Sequence, residues 1–182
     1  MQNNIQWIIC HHTGGTDANP LADTSNQTFE IVDAYHKSLW NFVSSLGHYI
    51  GYHYFIDKTG KLTQGRADTD EGAHTIGYNL KSLGVCLAGN FDATFPVQAQ
   101  IDTLKTLLSQ KSSQYNIPLG KIVPHRIFAT KTCYGKNLSD TWASDLIKVD
   151  PTPSVNGNID ALKGAVALID KASAILKAEI NK

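Results

Sequence analysis

Residues 124–133, PHRIFATKTC, set an imidazole, an ammonium and a thiol along one short segment, at His125, Lys131 and Cys133. Far upstream, IICHHTGG supplies a further imidazole at His11 or His12. Two imidazoles and a thiolate are a sufficient protein ligand set for a catalytic zinc, whose fourth tetrahedral position stays open to water. Such an ion lowers the pKa of its water toward about 7 and polarises a carbonyl, so the donor set suggests a zinc hydrolase.

The chain between these groups must fold them together. Residues 5–11, rich in Ile and Trp and bounded by Asn-Asn and Thr-Gly-Gly, read as a buried strand that ends at the histidine pair. On a strand His11 and His12 point to opposite faces, so both cannot easily bind one metal. After a polar loop over 15–27, the spacing of Phe29, Val32 and Leu39 predicts a helix over 28–43, capped by Asn26 or Thr28. Strands over 52–57 and 61–65 flank a Lys58-Thr59-Gly60 turn, and 82–88 reads as a central strand. Val97, Ile101, Leu104, Leu107 and Leu108 keep helical spacing after Pro96, a residue suited to a helix start, and 121–123 is a last strand leading into His125. The expected fold is α/β: a single domain with a central mixed β-sheet flanked by helices, its chemistry at strand ends.

The Pro/Gly/Ser/Asn stretch 150–158 reads as a linker that closes a catalytic domain over 1–149. Beyond it, Ile159, Leu162, Val166, Ile169, Leu176 and Ile180 mark a C-terminal amphipathic helix over 159–182. Its apolar stripe suits docking on the domain, self-association with another copy, or contact with a membrane or partner. Its charges nearly balance, which weakens the membrane option.

With 182 residues, 42% of them hydrophobic, the chain can bury a substantial core. Its formal net charge of zero gives no global pull toward nucleic acid or anionic membrane, and a neutral or mixed-charge substrate fits better. Cys10 and Cys86 lie inside apolar runs and read as buried free thiols rather than as a disulfide framework. The first residues, MQNNIQWIIC, lack a basic region followed by a long apolar core, and no run approaches the roughly 18 residues of a membrane span. Cytoplasmic synthesis without a signal peptide is the expectation. Gly14-Gly15, Gly47 and Gly51 lack the spacing of phosphate-binding or dinucleotide-binding loops.

Five segments, IICHHT, GYHYFIDKTGKLTQGR, GAHTIGYN, SLGVCLAGN and PHRIFATKTC, occur in the order found in one family. Together they resemble the zinc-dependent N-acetylmuramoyl-L-alanine amidases, which include small phage lysozyme-type amidases and animal peptidoglycan recognition proteins. The likeness spans most of residues 5–138 and says nothing beyond about residue 150. It implies Zn2+ as cofactor, held by His11, His125 and Cys133, with His12 left as a packed neighbour. It implies Tyr52 and Lys131 as catalytic groups, one stabilising the oxyanion and the other orienting water or relaying a proton. It also implies that His74, with Thr75 and Asn79, contacts the substrate. His36, His48, His53 and Cys86 read as structural or surface residues. Members commonly carry proline after the ligand cysteine, whereas Cys133 is followed by Tyr134, a side chain then free to line the groove.

The implied reaction is hydrolysis of the amide between N-acetylmuramic acid and L-alanine in peptidoglycan or muropeptides. The expected setting is a phage endolysin or bacterial cell-wall lytic enzyme. Alternatives are a cytoplasmic amidase recycling wall fragments and a non-catalytic peptidoglycan-binding or regulatory module.

Overall fold

The computed structural model describes residues 4–148. The linker and amphipathic helix expected over 150–182 lie outside the described residues. Five strands, β1 (Trp7–His12), β2 (Tyr54–Ile56), β3 (Leu62–Gln64), β4 (Ser82–Leu87) and β5 (Ile122–Pro124), form one sheet in the order β3-β2-β4-β1-β5. Only the β2–β3 hairpin is antiparallel, so the sheet is mixed as expected. β4 and β1 lie inside it, and β4 is buried along its whole length.

Alternation along β1 and β4 divides their side chains between two layers. Ile8, Cys10, Leu83, Val85 and Leu87 face α2 (Gln98–Tyr115) and the single turn α3 (Trp142–Asp145), joining Leu104, Leu108 and Ala143 in the main core. Cys86 faces the other way, into a smaller cluster with Phe29 and Val32 of α1 (Phe29–Trp40) and with Ile50 and Phe55. One face of the sheet is thus closed by a long helix. The other is only part-covered, which leaves room for a cleft.

Three boundaries differ from the sequence expectation. α1 is capped by Thr28, whose hydroxyl accepts from the Ile31 amide, but it stops at Trp40 because Asn41 adopts a left-handed conformation (φ 48°). Phe42 and Val43 therefore leave the helix. α2 starts at Gln98 with Val97 as its N-cap, so Pro96 precedes the helix rather than opening it. β2 spans only Tyr54–Ile56, which puts Tyr52 on the irregular segment leading into the strand. The hairpin turn is held by Asp57, whose carboxylate accepts from the amides of Thr59 and Lys61.

Candidate active site

His11 occupies the next-to-last position of β1, and its neighbour in register on β4 is Cys86, so its ring stands on the part-covered face. His12 turns the other way, where its Nδ1 accepts the Phe91 amide at 2.9 Å and its ring packs on Phe91. Both features fit a packed neighbour rather than a ligand. β5 is parallel to β1, and His125 opens the helical turn His125–Ile127 at its end. The rings of His11 and His125 stand 4.6 Å apart.

Cys133 comes back to this point on a loop clamped by Arg126. The Arg126 amide donates to the Cys133 carbonyl at 2.7 Å, and its guanidinium donates to the carbonyls of Gly135 and Leu138 and to Asp140. The peptide between Cys133 and Tyr134 is cis. Tyr134 does not line the groove: it is 2% exposed, packs edge-on to Trp142 and donates to the Ser139 carbonyl. Burying this ring in the main core outweighs presenting it to solvent.

One donor atom from each of His11, His125 and Cys133 lies within 4.8 Å of the others. Cys133 Sγ is 3.6 Å from His11 Nδ1. Zinc–nitrogen bonds of about 2.0–2.1 Å and zinc–sulfur bonds of about 2.3 Å in a tetrahedron put those two atoms about 3.6 Å apart. The donor set and its spacing therefore fit zinc.

The three residues lie in a cleft of about 990 Å³ that Tyr52, His74, Thr75, Asn79 and Lys131 also line. The Tyr52 ring is 5.0 Å from that of His11. Lys131 is exposed beside His125, on which its charge acts. His74 packs edge-on to His11, with Nδ1 3.1 Å from His11 Nε2 and 3.0 Å from Thr75 Oγ1. Asn79 Oδ1 accepts the amides of His74 and Thr75, fixing the loop that carries them. All eight residues singled out from the sequence are thus brought to one cleft.

The chain matches the family described as N-acetylmuramoyl-L-alanine amidase over residues 1–136. This chain belongs to that family. Peptidoglycan-recognition protein SC2 of Drosophila melanogaster is 32% identical over 148 residues, which cover 79% of this chain and 77% of that protein. The endolysin of Enterobacteria phage T3 is 35% identical over 100 residues, covering 51% of this chain and 64% of its own length. Among solved structures, N-acetylmuramoyl-L-alanine amidase LysC from Clostridium intestinale superposes with a TM-score of 0.65 at 26% identity, covering 81% of this chain and 87% of its own.

The electrostatics of this amidase-family cleft follow from burial. Desolvation, then the neighbouring imidazoles, pushes His11 well below its ordinary value; desolvation, then Lys131, lowers His125. Both rings are held neutral, the form that ligates a metal. Burial pushes the Cys133 thiol up to about 12 despite the pull of Lys131, so at neutral pH it becomes a thiolate only with a cation against it. Burial also raises Tyr52 well above its ordinary value, so the phenol keeps its proton.

Sequence reasoning passed over Trp40 and Arg66. Trp40 lines the cleft from the end of α1, and its ring lies 4.5 Å from that of His36, whose Nδ1 accepts the Gly51 amide. His36 and His53 are buried and hydrogen-bonded, in keeping with structural roles. Arg66 is 1% exposed and spends its guanidinium on the carbonyls of Phe42, Ile50 and Glu71. A lone arginine after the hairpin carries no local signal of burial, because its partners come from two separate loops.

Proposed function

We propose that this protein is a zinc-dependent peptidoglycan amidase that hydrolyses the bond between N-acetylmuramic acid and L-alanine, with His11, His125 and Cys133 holding the metal. The observation that carries the reading is the 3.6 Å spacing of Cys133 Sγ and His11 Nδ1, with His125 beside them, in a cleft that Tyr52 and Lys131 flank. Membership of the amidase family supports it independently.

When bound, zinc supplies a Lewis acid for the scissile carbonyl and a water acidic enough to attack near neutral pH. The chain's own residues do the rest. Lys131, an ammonium at the cleft wall, stabilises the negative charge that develops on the carbonyl oxygen. Tyr52, kept protonated by burial, acts as a hydrogen-bond donor that orients the reacting groups. His74, Thr75 and Asn79 form the wall that meets the muramyl end of the substrate. Water is added across the amide, leaving a carboxylate on the sugar and a free amine on L-alanine.

A module that only recognised muropeptides would need the cleft but not a complete metal donor set with a lysine and a tyrosine beside it. The recognition-protein relatives therefore weigh less here than the chemistry of the site. A cell-wall lytic role of the endolysin kind is the setting we favour, on the similarity to the T3 endolysin. Metal analysis tests the core of the proposal. About one zinc per chain is expected, abolished in His125→Ala; full zinc content in that variant, or none in the native protein, contradicts it.

A further inference from the structure

Resting on the metal reading above, we infer that His74 is a positioning residue for the metal: it fixes the tautomer and ring orientation of His11, so that Nδ1 is the ligating nitrogen. The inference comes from a chain of hydrogen bonds whose direction is set at its far end. Ser82 Oγ donates to the Tyr78 carbonyl at 2.8 Å, so the hydroxyl oxygen is left to accept. It faces His74 Nε2 at 3.5 Å. That acceptor puts the His74 proton on Nε2. Its Nδ1 then carries a lone pair and must accept.

The atom facing that lone pair at 3.1 Å is His11 Nε2. Nε2 is therefore the protonated nitrogen of His11, and Nδ1 is left bare toward Cys133 Sγ at 3.6 Å. The Thr75 hydroxyl lies 3.0 Å from the same His74 nitrogen. Metal-bound histidines are oriented in this way by an acceptor on the other ring nitrogen. Here that acceptor is a second imidazole.

The place of the His74 ring is built into the backbone. A Cβ at Gly84 of β4 would lie 2.5 Å from His74 Cδ2, and one at Gly72 would lie 2.5 Å from the same atom. Both glycines leave room for the imidazole between Ser82 and His11. Asn79 Oδ1 accepts the His74 amide at 3.0 Å. A side chain that served only to touch substrate would need neither this cradle nor an inward-facing Nδ1.

Zinc affinity and tautomer test the inference on the full chain. Chelator competition should show His74→Ala binding zinc about 10–100-fold more weakly than the native protein, the usual cost of losing such a partner. His74→Asn, whose side-chain oxygen falls near the position of Nδ1, should recover part of the loss. Long-range 1H–15N correlation on the native protein, which requires no variant, should find His11 protonated at Nε2 with and without zinc. Native affinity in a folded His74→Ala, or a proton on His11 Nδ1, overturns the inference. A native protein without zinc affinity would instead refute the metal reading, and the tautomer of His11 would still decide the relay.

Discussion

At the residue scale, the proposed division of labour in the cleft separates metal holding from transition-state chemistry, and substitutions should respect it. Lys131→Ala is expected to retain zinc while kcat falls roughly a hundredfold or more, the cost of removing an oxyanion-stabilising group. Tyr52→Phe should behave alike, because its phenol is proposed to donate a hydrogen bond rather than to ligate. Steady-state kinetics beside metal analysis checks both; near-native turnover in either variant removes that residue from the mechanism. Cys133 carries a different signature. Since burial holds its thiol up to about 12, zinc uptake at pH 7 should release about one proton, read as a buffer-dependent binding enthalpy in calorimetry.

At the scale of elements, one polar cluster ties α2 to the hairpin and gives the fold an acid-sensitive joint. Asp68, after β3, accepts from Lys111 of α2 at 2.6 Å and from the hydroxyls of Tyr54 and Tyr115. Burial alone would raise its pKa, but these donors outweigh burial and hold it below the ordinary carboxylate value of about 3.9. A lowered folded-state pKa contributes stability that is present above about pH 4 and lost as pH falls through the folded value. Asp68→Asn should therefore cost about 2–3 kcal/mol at pH 7 and a smaller amount near pH 3, measured by urea unfolding at the two pH values. Equal costs at both would show that the carboxylate's charge is not what stabilises the joint.

The same scale shows what the sequence made legible. The alternation that sends His11 into the cleft and His12 into the core is a property of any strand, and short apolar runs marked β1, β4 and β5 clearly. The end of α1 was not legible, because helical spacing continues through Val43 and only the left-handed turn at Asn41 breaks it. Tyr134 was misplaced for a related reason: a residue beside a proposed metal ligand looks like a groove residue until the loop is seen to turn inward. The Ser82–His74–His11 chain was invisible because it joins residues from a loop and two strands that only the parallel β1–β4 pairing brings together. Family resemblance supplied what spacing could not, namely which histidine of the pair to propose as a metal ligand.

For the whole molecule, every residue of the proposed site lies within the unit that ends at Lys148. A chain truncated after Lys148 should accordingly bind zinc and hydrolyse a soluble muropeptide, whatever its action on whole cells; a folded truncation that cannot cut the soluble substrate would place residues 149–182 in the active site. The central claim is settled most directly by mass spectrometry of digested peptidoglycan sacculi. The zinc-loaded protein should release stem peptides beginning with a free L-alanine amine and leave the glycan strands uncut, and chelation should stop the release. New reducing sugar ends, cuts inside the peptide, or zinc-loaded protein that releases nothing would contradict the account.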